Sequence, residues 1–79
     1  MTAVISLYAN PDAPAAAAKV IDAVSGRLSL DPRSGSDGSW EFAFGGTTYS
    51  RAHAAVAAAL ADADPDWPAK VTLDYALAV

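Results

Sequence analysis

A chain of 79 residues with a formal net charge of −4 and no cysteine has the size of one domain. Folding at this length buries about 60–65% of the surface that the unfolded chain exposes, and neither a disulfide nor a cysteine-based zinc site adds to that burial. The five basic residues, Lys19, Arg27, Arg33, Arg51 and Lys70, are scattered, so they form no stripe for a phosphate backbone and nucleic acid is excluded as the expected partner.

The first predicted element is a strand over residues 3–9, in which Ala3, Ile5, Leu7 and Ala9 alternate with Val4, Ser6 and Tyr8. No basic segment precedes it and no later run is long enough to span a bilayer, so neither a signal peptide nor a membrane partner is expected and the expected location is cytoplasmic. Asn10-Pro11 turns the chain. Asp12 is the predicted N-cap of a helix beginning at Ala13, with Pro14 in its first turn. Ala13, Ala17, Val20, Ile21 and Val24 recur at helical spacing, and Gly26 is the predicted left-handed terminator.

A short strand is predicted over residues 27–31, with Leu28 and Leu30 on one face. Pro32 ends it, and residues 32–39 carry turn chemistry throughout, which predicts a mobile loop. Trp40, Phe42 and Phe44 then alternate with Glu41 and Ala43 to give the most aromatic strand. Gly45-Gly46 allows two continuations: a tight hairpin pairing Phe44 with Thr47 and Phe42 with Tyr49, or a strand end leading straight into a helix. Ser50 is the predicted cap of that second helix, whose apolar stripe is Ala52, Val56, Ala59, Leu60 and Ala63. Small side chains dominate the stripe, so the helix should pack closely. Pro65 and Pro68 bracket an irregular link over which Trp67 should fold back onto the core. The last strand, residues 71–79, alternates Val71, Leu73, Tyr75, Leu77 and Val79 with Thr72, Asp74, Ala76 and Ala78, and a central place in the sheet is expected for it.

The order β-α-β-β-α-β predicts a single α+β domain, a two-layer sandwich with both helices on one face of an antiparallel sheet, in the ferredoxin-like arrangement. Trp40, Phe42, Phe44, Leu73, Tyr75, Leu77, Ile5 and Leu7 should line the helix-facing side.

Catalytic chemistry is scarce. None of the seven serines sits in a G-x-S-x-G elbow. His53 is the single histidine and lies on the flank of the second helix's stripe, where it reads as a boundary residue. Asp62, Asp64 and Asp66 have the alternation that opens a calcium loop, but the sixth and twelfth positions, which need Gly and Glu, hold Trp67 and Leu73. Gly45-Gly46-Thr47-Thr48 lacks the lysine and spacing of a phosphate-binding loop. No catalytic, cofactor-binding or metal-binding residues are assigned, and no cofactor is expected.

The expected function is a non-enzymatic protein-interaction module whose partner is another protein or a second copy. The interaction surface is the open sheet face: Val4, Ser6, Tyr8, Ala43, Thr72, Asp74, Ala76 and Ala78, a set short of charge for a solvated antiparallel sheet. Glu41 and Asp74 are its main acids. Alanine at 20 positions and aspartate outnumbering glutamate eight to one suggest a GC-rich genome, and the small size suggests a phage or mobile-element accessory acting on a host protein. The alternative is a small enzyme or ligand-binding domain with a pocket between helices and sheet, where His53, Tyr75 or Tyr8 would supply polar groups.

Overall fold

The computed structural model describes residues 2–34 and 39–76. In chain order the elements are β1 (Thr2–Ala9), α1 (Pro14–Leu28), β2 (Arg33–Ser34), β3 (Trp40–Gly45), α2 (Tyr49–Ala63), a 3₁₀ turn (Trp67–Ala69) and β4 (Val71–Ala76). The four strands form one antiparallel sheet in the order β2-β3-β1-β4. β1 and β2 both run against β3, which lies between them, and β3 and β4 both run against β1. Each helix therefore connects two strands of the same direction separated by a third.

The register puts the bulky alternating residues together. Ile5 faces Phe42 on one side and Tyr75 on the other, and Leu7 faces Trp40 and Leu73. Opposed residues of an antiparallel pair share a face. Ala3, Ile5, Leu7, Phe42 and Val71 on that face are buried together with Ala17, Val20, Ile21 and Val24 of α1 and Ala52, Val56, Ala59 and Leu60 of α2. Both helices consequently cover one side of the sheet. Trp40, Phe44, Leu73 and Trp67 pack half-buried against this core. The Tyr75 side chain and Leu77, expected in the same layer, lie outside the described residues.

Several boundaries differ from the sequence expectation. β4 is an edge strand, since β1 takes the central place. The strand expected over residues 27–31 does not form: Gly26 does not stop α1, which runs on to Leu28 and ends at Ser29 in the left-handed region (φ 54°, ψ 39°). The Ser29 and Leu30 amides both donate to the Ser25 carbonyl, and the Ser25 hydroxyl donates to the Leu30 carbonyl at 2.6 Å. This local hydrogen bonding satisfies the helix end without a glycine. The paired strand lies later, at Arg33–Ser34, within the segment read as a loop; residues 35–38 of that segment lie outside the described residues. Ala13 is the N-cap of α1 with no side-chain bond, one residue beyond the expected Asp12. At α2 the cap is Thr48, whose side chain accepts from the Arg51 amide at 3.3 Å, in place of Ser50. Of the two continuations after Phe44, the chain takes the one without a hairpin: Gly46 turns with φ 70° and α2 follows.

The misplaced glycine yields a stability prediction. Gly26 lies inside α1, and a Cβ there meets nothing within 4 Å, so Gly26→Ala should add about 0.5–1 kcal/mol. Ser29 sits where glycine is favoured, so Ser29→Gly should add a similar amount, about 0.5–1 kcal/mol. Moving the glycine from 26 to 29 is thus expected to raise Tm by about 4–8 °C per kcal/mol gained. Thermal unfolding of the two single variants and the double checks it; a fall in Tm for Ser29→Gly would contradict the helix ending described.

Candidate functional site

The face of the sheet opposite the helices carries the residues proposed from sequence as an interaction surface. β1 presents Thr2, Val4, Ser6 and Tyr8, and the register sets Val4 beside Ala43 and Ala76, Ser6 beside Glu41 and Asp74, and Tyr8 beside Thr72. The surface is therefore contiguous across three strands. Ala43, Thr72 and Asp74 are exposed, Val4 and Tyr8 half-buried. The Ala76 side chain and Ala78 lie outside the described residues.

Ser6 is 3% exposed although no helix covers it. Its position explains this: it is the small residue of the central strand, with Val4 and Tyr8 two residues away along the strand and two acids opposite it across the sheet. The face has a low point at Ser6, walled by Glu41 and Asp74.

One member of the face escaped the sequence reading. Arg33 pairs in register with Glu41, so it extends the row across the sheet to Arg33, Glu41, Ser6, Asp74. Two residues of strand are too short to show alternation, and Pro32 beside them reads as a turn. The residue joins the face only through the β2–β3 pairing, which is tertiary.

At the end of the sheet a set of polar contacts ties β1, α2 and β4 together. The Asn10 amide donates to the Lys70 carbonyl at 2.9 Å, its side-chain amide donates to the Pro68 carbonyl at 3.1 Å, and its side-chain oxygen accepts from the Thr72 hydroxyl at 2.6 Å. Two of the three acids read as a failed calcium loop hold structural partners with their carboxylates. Asp62 pairs with Arg27 of α1 at 2.9 Å, and Asp64 accepts from the Asp66 amide at 2.9 Å and from the Lys70 ammonium. The Lys70 hydrogen bond, with the Asp66 amide, holds the Asp64 carboxyl below the usual aspartate range, and the Asp64 partner raises the Lys70 ammonium above its usual range.

The sign of the resulting pH dependence follows. A depressed carboxyl contributes stability that is present above its ordinary pKa and is lost as pH falls through the lower, folded value. A raised ammonium contributes stability present below its ordinary pKa and lost as pH rises through the higher, folded value. Asp64→Asn keeps an acceptor for the Asp66 amide and removes the charge. The stability gap between wild type and Asp64→Asn should therefore be full at neutral pH and close in acid below the ordinary aspartate range. Urea titrations from pH 7 to pH 2 test this; a gap that stays constant in acid would mean that the ion pair does not carry it.

A partly polar cleft of 210 Å³ lies on the helix layer and opens between α1 and the end of α2, lined by Ala16, Lys19, Val20, Ala23, Ala63, Asp64 and Lys70. It contains none of His53, Tyr8 and Tyr75. His53 is half-buried on α2 and Tyr8 belongs to the open face, so these two do not converge; the Tyr75 side chain lies outside the described residues. Among the described residues no three His, Cys, Asp or Glu side chains are grouped to hold a metal ion, and no helix is long and apolar enough to cross a membrane. Compared with protein-family models, curated proteins and solved structures, the chain matches none of them.

Proposed function

We propose that this chain is a non-enzymatic protein-interaction module in a ferredoxin-like arrangement, and that it associates with a second copy through the open sheet face. The two split crossovers support the architectural part of this reading. The functional part is carried by one observation: the face opposite the helices is continuous across β3, β1 and β4, and its residues are small or weakly polar apart from Glu41, Asp74 and Arg33. Val4, Ser6 and Ala43 leave the middle of this face low and free of charge, with the charged residues set in one row beside it, so a second flat surface can approach closely there. A chain of 79 residues without a disulfide also gains from any further burial.

Light scattering on the wild type and on Ala43→Glu tests the reading. Ala43 is exposed in β3 beside Val4, so a glutamate there is tolerated by the monomer and places a charge within the contact. The expected result is a wild-type dimer and a folded, monomeric variant. A wild type that stays monomeric at high micromolar concentration, or a dimer indifferent to Ala43→Glu, overturns it.

A further inference from the structure

Resting on that reading, we propose that the two copies meet about a two-fold axis parallel to the strands, between β1 and β3, so that Arg33 of each pairs with the partner's Asp74. The row across the sheet, Arg33, Glu41, Ser6, Asp74, reads as positive, negative, hydroxyl, negative. Turning a second copy face down about an axis along the strands reverses the row. Arg33 then stands over the partner's Asp74, and Glu41 over the partner's Ser6. Each group meets a complement: cation with carboxylate, and a long acid with the low, small residue whose hydroxyl can donate to it.

The other in-plane two-fold, running across the strands, leaves the row in its own order. It sets Arg33 on Arg33, Glu41 on Glu41 and Asp74 on Asp74. Like charges opposed in an interface are costly, so the charge pattern selects the first axis over the second. Distance is compatible with it. Arg33 and Asp74 each lie one and a half strand spacings from the axis, roughly 7 Å, and packed sheets stand about 10 Å apart, a gap that a long guanidinium side chain and a carboxylate span together. The same axis lays Ala43 over the partner's Val4, which allows close approach at the centre.

A charge exchange tests the pairing. Arg33→Glu and Asp74→Arg, each shown to be folded by circular dichroism, should each weaken the dimer on the order of tenfold or more. The double variant should restore it, because its pairs are reversed and complete. Sedimentation equilibrium across a concentration series gives the four dissociation constants, with Ala43→Glu as the reference for loss of the face. If Ala43→Glu breaks the dimer while both single charge variants leave it unchanged, the face is used and this pairing is wrong. Singles that weaken the dimer without rescue by the double also overturn the pairing. If the wild type is monomeric or Ala43→Glu has no effect, the face reading itself fails and takes the pairing with it.

Discussion

Truncating Phe42 to alanine is expected to lower the unfolding free energy by about 3–5 kcal/mol. Among the described residues Phe42 is the largest fully buried side chain, on β3 directly opposite Ile5 of the central strand, which is also fully buried. A domain of this size has a total stability of roughly 4–12 kcal/mol, so the substitution removes a large share of it. Two features place the loss toward the upper end. The ring is in the middle of its strand, where the backbone is held by pairing, and much of the helix layer above is alanine, which has no side chain to swing into the space. Trp40 and Phe44, on the same face nearer the strand ends, are only half-buried and should cost less when truncated. Urea unfolding of the three variants measures the ranking. A Phe42→Ala loss below about 1.5 kcal/mol, or one smaller than that of Phe44→Ala, would place the centre of the core elsewhere.

What the sequence made legible was periodicity. The alternation in β1 and β3 and the helical spacing in α1 pick out Ala3, Ile5, Leu7, Phe42, Ala17, Val20, Ile21 and Val24, which are buried, while Ala9, Ala13, Trp40 and Phe44 of the same sets are half-buried nearer the element ends, because alternation and 3.6-residue spacing are local consequences of having one wet side and one dry side. Boundaries were less legible. Gly26 is conformationally permissive, so it allows a helix to end without requiring it, and the helix continued because Ser25 could satisfy its last groups. β2 was missed since two residues carry no period. The central place expected of β4 failed for a related reason: its strict alternation reports a half-buried face, which edge and centre strands share, while the order of strands depends on which crossover each helix makes.

The candidate face shows the same division. Its members follow from alternation alone once the helix-facing side is fixed, and seven of the eight proposed positions fall within the described residues. Its charge pattern was not legible, because Arg33 joins the row only through the β2–β3 pairing. The low point at Ser6 likewise depends on register, which sets Glu41 and Asp74 on either side of it. A slip of one residue would have turned every one of these side chains to the core.

Leu60→Ala should lower stability by about 2–5 kcal/mol. Leu60 is fully buried near the end of α2. Alanine is at least as good a helix former as leucine, so the helix itself does not weaken, and the Asp64 amide keeps its bond to the Leu60 carbonyl. The measured loss is then a packing term: the removed methyl groups plus the hole they leave. That hole should collapse poorly. Ala17, Ala52 and Ala59 are buried in the same core, and where alanines make the contact the backbones themselves set the spacing, so closing a gap means moving whole helices against a hydrogen-bonded sheet. Leu60→Met, which nearly conserves volume, should cost less than about 1.5 kcal/mol and serves as the control. Denaturant titrations of both variants decide the point. Equal losses would mean that the site is sensitive to side-chain shape and not to volume, and a Leu60→Ala loss under about 1 kcal/mol would mean that this end of α2 does not press on the sheet.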